Sequence, residues 1–186
     1  MDKRTIPEKL LAIRDAMHWS QEKLAQELQV SFATINSWER GRSTPYQRHQ
    51  HSIDELLGAI EAEEKRVLII EDDTSAGLIL QDYVAMMLPG WSCEIADNGY
   101  EGLLRIGLVK PRIVLLDIMM PGIDGLEVMR RMSAMPDLEE TKVILVTAVT
   151  DPDILAQAEA ASPFGLLHKP VDRDAMDKLL QRASAK

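Results

Sequence analysis

Residues 113–128 read IVLLDIMMPGIDGLEV, a run of four aliphatic residues, an aspartate, and a segment punctuated by Pro121, Gly122 and Gly125. An uninterrupted apolar run of this length suits a strand covered on both faces, as in a parallel sheet. Proline and glycine directly after it mark a tight turn. Outward from this stretch the same pattern recurs. Arg66–Ile70, Ser92–Ala96, Arg112–Leu116, Lys142–Val146 and Phe164–Leu167 read as strands, separated by segments with helical periodicity. Five such units over 66–186 predict an α/β body, a doubly wound five-stranded parallel sheet, with its site at the carboxyl ends of the strands.

The residues at those ends are chemically pointed. Glu71-Asp72-Asp73 follow the first strand, Asp117 the third, Thr147 the fourth and Lys169-Pro170 the fifth. Clustered carboxylates repel unless a cation neutralises them, and hard oxygen ligands suit Mg²⁺, which takes one or two carboxylates together with a phosphate. A lysine and a hydroxyl beside them can hold phosphoryl oxygens. The set suits phosphoryl transfer to a carboxylate, with Asp117 as the nucleophile.

Across 66–186 the chain resembles the receiver domain of two-component response regulators, a flavodoxin-like fold. The resemblance is carried by RVLIIEDD, IVLLDIMMPGIDGLEV, VILVTA and HKP, and by the steps from 72 to 117, 117 to 147 and 147 to 169. It implies that Asp117 accepts a phosphoryl group from a histidine kinase, a phosphotransfer protein or a small phosphodonor. Asp72 and Asp117 would hold Mg²⁺ with the backbone carbonyl of Met119, and Glu71 would act through water. Thr147 would bond the phosphoryl group in the active state and Lys169 would pair with it. Asp73 falls outside the acidic pair and reads as a helix-start residue. His168 reads as a lone exposed histidine. Haloacid-dehalogenase-type phosphotransferases place a second acid two residues after the nucleophile. That position is Met119, so the chain is expected to accept a group without turning over as an enzyme. Met119 and Val149, both apolar, flank the expected path of attacking water, which predicts slow dephosphorylation. One family feature is missing, since the aromatic usual three residues before the lysine is Leu166, with Phe164 nearby but out of alternation.

The head is different. Ile6, Leu10, Ile13 and Met17 give a helix over 6–17. Ser20 and Ser31 are N-cap candidates for two short helices separated by Gln29–Ser31, while Gly41 and Pro45 end the second. This is the outline of a helix-turn-helix. The stretch WSQEKLAQELQVSFATINSWERGRSTP resembles the lambda-repressor-like family of regulators over residues 5–60, with Gln21, Leu24, Ala25, Val30, Ile35, Glu39 and Gly41 at its characteristic positions. The turn position often held by Gly is Gln29, where a left-handed backbone carries modest strain.

In such a motif the second helix enters the major groove of double-stranded DNA and its first turn reaches base edges. Phe32, Ala33 and Thr34, with Ser37 one turn on, would face bases. Phe32 and Ala33 offer apolar contact to a thymine methyl, and Thr34 and Ser37 weak polar readout. Gln21, Ser31, Asn36, Arg40, Arg42 and Ser43 complete the expected DNA-facing set, largely as phosphate contacts, which position without specifying sequence. Leu24, Val30, Ile35 and Trp38 read as core.

Charge divides the same way. The chain of 186 residues has a formal charge of −9. Residues 1–53 carry eight Lys/Arg against six Asp/Glu, residues 54–65 one against five, and residues 66–186 twelve against nineteen. An acidic whole therefore hides a slightly basic head. A net of +2 supplies few phosphate contacts, so a single head should bind weakly and a homodimer on a two-fold site is expected.

Residues 52–55, Ser-Ile-Asp-Glu, have the form of a capping box ahead of an apolar stripe at Ile53, Leu56, Leu57 and Ile60. This helix closes the head's core or pairs with a second chain, and is too short for a coiled coil. The expected division is 1–60 helix-turn-helix, 61–65 helical connector and 66–186 receiver. The single Cys93 excludes a disulfide framework, and no aliphatic run approaches the roughly 20 residues of a bilayer span. No membrane segment or signal core is expected, and the location implied is cytoplasmic. The leading expectation is a response regulator whose phosphorylation shifts the receiver at its fourth helix and fifth strand, changing dimerisation and DNA binding. The alternative is a head that dimerises or binds a protein and never touches DNA.

Overall fold

The structure is a computed structural model that describes residues 3–185, and of Glu63 and Glu64 the backbone only. It forms two compact units that part between Ala62 and Glu63.

The first unit holds four helices, α1 (Ile6–Met17), α2 (Gln21–Glu27), α3 (Phe32–Glu39) and α4 (Gln47–Glu64). Ser20 and Ser31 cap α2 and α3 by accepting from the backbone N–H groups of Lys23 and Thr34, each at 3.1 Å. Between these helices Gln29 adopts φ +54°, the left-handed conformation expected there, and Gly41 adopts φ +64° after α3. Leu10, Ile13, Leu24, Ile35 and Trp38 form the core, and Val30 packs against it half-buried.

The capping box at Ser52 is overturned. α4 begins five residues earlier, at Gln47, and the Ser52 hydroxyl donates to the carbonyl oxygen of Arg48, one turn back within the helix. Tyr46 supplies the start, its carbonyl accepting from the N–H groups of His49 and Gln50. The stripe is core all the same. Ile53, Leu57 and Ile60 are buried among the α1–α3 side chains. Residues 61–64 continue α4, so the expected connector is the end of this helix.

The second unit alternates strand and helix: β1 (Arg66–Ile70), α5 (Thr74–Met87), β2 (Ser92–Ala96), α6 (Gly99–Val109), β3 (Ile113–Leu116), α7 (Gly125–Met132), β4 (Lys142–Thr147), α8 (Pro152–Ala160), β5 (Gly165–His168) and α9 (Arg173–Ser184), with a short 3₁₀ turn at Pro136–Leu138. All strands are parallel in the order β2-β1-β3-β4-β5. Relative to the sequence reading, β3 and β5 each start one residue later and β4 and β5 each end one residue later. The ladder still continues past these bounds, since Arg112 and Phe164 donate backbone N–H groups to Arg66 and Val143.

Strand side chains alternate between two cores. Leu68, Ile70, Val114, Leu116, Val143 and Leu145 face one core, shared with α6, α7 and α8. Val67, Ile69, Ile113, Leu115, Ile144 and Val146 face the other, shared with α5 and α9. Burial on both faces explains why these strands read as unbroken apolar runs.

Candidate functional site: the strand-end acids and their lysine

The site residues stand one position past their strands, yet the ladder still holds them. The backbone N–H of Glu71 donates to Ala96, that of Asp117 to Ile70 and that of Lys169 to Thr147, at 3.0, 3.0 and 2.9 Å. Each backbone is therefore fixed by the neighbouring strand, and only side-chain torsions remain free.

The side chains converge. Lys169 Nζ donates to Asp117 Oδ2 at 2.6 Å and to Glu71 Oε1 and Oε2 at 2.9 and 2.7 Å. Asp117 Oδ1 accepts the backbone N–H of Met119 at 3.1 Å. Glu71 is 2% exposed, Asp117 5% and Thr147 0%, while Asp72 is exposed. Burial pushes the Glu71 carboxyl above the ordinary glutamate range, and the Asp117 charge adds to this against the opposing pull of Lys169. Burial alone would lower the Lys169 ammonium. The carboxylates of Asp117 and Glu71 outweigh it and hold Lys169 above its usual value.

Glu71, Asp72 and Asp117 each present a carboxylate oxygen, and the three atoms lie within 4.8 Å of one another. Hard oxygen donors of this number fit Mg²⁺. Asp73 is separate from them. Its side chain caps α5, accepting from the N–H groups of Ser75 and Ala76 at 2.8 and 3.0 Å.

Thr147 ends β4 with its hydroxyl accepting from the backbone N–H of Val149 at 3.2 Å. Leu166 and Phe164 lie on opposite sheet faces. Leu166 packs toward α8, whereas Phe164 packs toward α9, where the Arg182 guanidinium sits 5.2 Å from its ring centre. Phe164 therefore cannot substitute for an aromatic at 166. His168 is exposed at the end of β5.

Two features of the Asp117 loop were not legible as such. Gly125 is the first residue of α7, and its N–H donates to the Ile118 carbonyl at 2.9 Å, closing the loop. A Cβ at Gly125 would overlap the carbonyl oxygen of Asp117 itself. The sequence signals a turn with Pro121, Gly122 and Gly125, but of the two glycines only Gly122, at φ +87°, adopts the left-handed turn conformation. Gly125 serves close approach to Asp117.

Residues 67–181 match the family described as response regulator receiver domain. The chain belongs to this family. Its receiver domain is 31% identical over 118 residues to the regulatory protein AtoC of Escherichia coli, covering 63% of this chain and 25% of that one. It is 38% identical over 109 residues to the transcriptional regulatory protein YkoG of Bacillus subtilis, covering 55% and 46%. The chain thus spans about a quarter of AtoC. Among solved structures, the receiver domain of a DNA-binding response regulator from Colwellia psychrerythraea is 27% identical at a TM-score of 0.59, covering 63% of this chain and 95% of that one. The chemotaxis protein CheY4 of Vibrio cholerae, at 24% identity and a TM-score of 0.57, shares the fold, covering 63% and 97%. Residues 10–48 match a helix-turn-helix family.

Within that helix-turn-helix unit the expected DNA-facing residues are not equally available. The Gln21 amide donates to Glu39 Oε2 at 2.5 Å, and Arg14 donates to the other Glu39 oxygen at 3.2 Å. The hydroxyls of Ser31 and Thr34 bond each other at 2.8 Å, as do those of Ser37 and Ser43 at 2.7 Å. Asn36 is half-buried. Phe32, Ala33, Arg40 and Arg42 are exposed, Phe32 at 45%. Among the described residues no helix is long and apolar enough to cross a membrane.

Proposed function

We propose that the chain is a DNA-binding response regulator of a two-component phosphorelay, with residues 1–60 as reader and 66–186 as receiver, acting in the cytoplasm as a homodimer. The observation that carries this reading is the Asp117–Lys169–Glu71 contact beside Asp72, on a receiver domain that follows a helix-turn-helix.

In this reading an Asp117 carboxylate oxygen attacks the phosphorus of a phosphohistidine on a histidine kinase or phosphotransfer protein, or of a small acyl phosphate. The new O–P bond forms as the bond to the donor breaks, and the donor leaves with that electron pair. Asp72, Asp117 and the Met119 carbonyl would hold Mg²⁺, with Glu71 reaching it through water. Bound by these residues, Mg²⁺ would supply positive charge against the phosphoryl oxygens. Lys169, already at Asp117, would turn to a phosphoryl oxygen, and Thr147 would release the Val149 N–H to bond another. The contact of Lys169 with two carboxylates holds Asp117 and Glu71 close together before transfer.

The test is Mg²⁺-dependent labelling by acetyl phosphate, expected in the native chain and lost in Asp117→Ala. Unchanged labelling of that variant overturns the site assignment.

On the DNA side, the first turn of α3 would enter the major groove, with Arg40 and Arg42 at phosphates. A second reading, a head that binds protein instead, is favoured by one observation: the hydroxyls of Ser31, Thr34, Ser37 and Ser43 are paired within the head. Enrichment from randomised duplexes with the full chain separates the two. No enriched motif, with or without acetyl phosphate, decides for the second.

A further inference from the structure

The large apolar side chains exposed on the receiver domain are grouped. Among the described residues they lie on α5 (Leu78, Ile79, Met86) and α6 (Tyr100, Leu104, Leu108), with Met119 in the Asp117 loop. None lies on α8, β5 or α9. The expected switching face thus has little apolar surface to offer a second chain.

The α6 set is ordered. Tyr100, Leu104 and Leu108 recur every four residues, so they form one stripe. They are 59%, 63% and 73% exposed. The opposite side of the helix is fully used, with Gly99, Gly102 and Ile106 buried. The flank of the stripe is electrically closed. Arg105 bonds Glu101 at 2.8 Å and Glu94 at 2.6 Å, so the charges along the helix's own flank are paired with one another.

We infer that this stripe is a contact surface for a second copy of the chain, two α6 helices packing antiparallel about a two-fold axis at Leu104. Leu104 then meets its own equivalent, and Tyr100 meets Leu108 of the other copy. The charges at the two ends of the helix select this occupant. Asp97 is exposed just before α6, and Lys110 ends it with its side chain 55% exposed. An antiparallel pair places the Lys110 of one copy beside the Asp97 of the other at both ends, and opposes the two helix dipoles. The Lys110–Asp137 pair within the chain is itself exposed and leaves the ammonium free to share.

The stripe also touches the phosphorylation loop. Tyr100 lies over Gly122, so closely that a Cβ there would stand 3.1 Å from its ring. A change in the Asp117 loop is therefore felt at one end of the stripe.

The inference rests on the reading that two chains act together. Sedimentation equilibrium of the full chain, with and without Mg²⁺ and acetyl phosphate, tests both. The expected result is a dimer strengthened by acetyl phosphate. Leu104→Lys, with its melting curve unchanged, should weaken the dimer about tenfold or more. Asp97→Lys should weaken it and Asp97→Lys/Lys110→Asp should restore it. A Leu104→Lys chain that dimerises as tightly as the native one overturns the surface and leaves the two-chain reading standing. A native chain still monomeric at about 100 μM in both conditions overturns both. Intact dimerisation with impaired transfer from a kinase assigns the stripe to the kinase and overturns the inference.

Discussion

Lys169 Nζ stands 2.6 Å from Asp117 Oδ2, a bond that joins the end of β5 to the end of β3 across the width of β4. The same ammonium reaches Glu71 at the end of β1, so one cation compensates two carboxylates from separate strands. Removing one member of a buried charge set leaves the others unpaired, which is why truncation is more damaging than the net worth of the contact suggests.

Lys169→Ala should therefore destabilise the receiver domain by about 2 kcal/mol in EDTA, the loss typical of hydrogen bonds to charged groups. Mg²⁺ should recover more stability in this variant than in the native chain, because it supplies the missing positive charge. Urea denaturation of both chains, with and without Mg²⁺, measures this, and an equal Mg²⁺ effect in the two contradicts it.

Glu71→Gln separates burial from pairing. The Glu71 carboxyl is raised in the folded chain, burial being the largest cause, so the native state holds its proton more tightly than the unfolded chain does. Its contribution to stability is full below the unfolded value of 4.5 and is lost as pH rises through the folded value. The neutral Gln has no such loss. In EDTA the urea midpoint of Glu71→Gln should rise relative to the native chain as the pH climbs above about 4.5. A pH-independent difference would refute the assignment of the shift to burial.

The fold and the acids were largely legible because both follow short-range rules. Unbroken runs such as IVLL at 113–116 need burial on two faces, which a parallel sheet covered by helices on both sides gives. Polar residues directly after such runs lie at the ligand-binding edge. Ser20 and Ser31 announced their helices in the same local way, whereas the left-handed turn at Gln29 was expected only from the resemblance to the lambda-repressor-like family. What escaped depends on contacts across space. The start of α4 at Gln47 is set by Tyr46 and by packing on α1–α3, so the better local signal at Ser52 misled. The pairing of Gln21 with Glu39, and of the four head hydroxyls, needs two segments brought together. So does the proximity of Gly125 to the Asp117 carbonyl, eight residues earlier.

That proximity makes Gly125→Ala a test of the loop. The Cβ meets backbone, which cannot swing aside as a side-chain tip can. A loss of about 1–3 kcal/mol is expected, in the range of overpacked positions, together with slower labelling at Asp117. Gly107→Ala, a helical glycine with open space around it, should instead be neutral or stabilising. Equal melting temperatures for the two variants would be incompatible with the close approach.

The lifetime of the phosphorylated chain follows from Met119 and Val149. Both are apolar, and neither can orient a water for attack on the phosphorus. With Val149 buried beside the site, the half-life of the phosphoryl group should be hours. Loss of radiolabel from the purified phosphoprotein within a minute rules this out. Met119→Glu, which adds a group able to hold water, should shorten the lifetime.

The reader's specificity should be dominated by methyl groups. At the first turn of α3 the hydroxyls of Ser31 and Thr34 bond each other, and that of Ser37 bonds Ser43, so one hydroxyl of each pair has its proton committed within the head. Phe32 and Ala33 remain exposed, and the group they suit in the major groove is the C5-methyl of thymine. Once an operator has been enriched, replacing its contacted thymines by uracil removes one methyl each. Each removal should weaken binding about fourfold, from roughly 0.8 kcal/mol per buried carbon. Phe32→Ala should abolish that difference while retaining residual affinity. Arg42→Ala should instead weaken every sequence alike and reduce the salt dependence by about one counterion. If uracil substitution is silent at every position while Thr34→Ala changes the enriched motif, readout is by hydrogen bonds instead of methyl contacts.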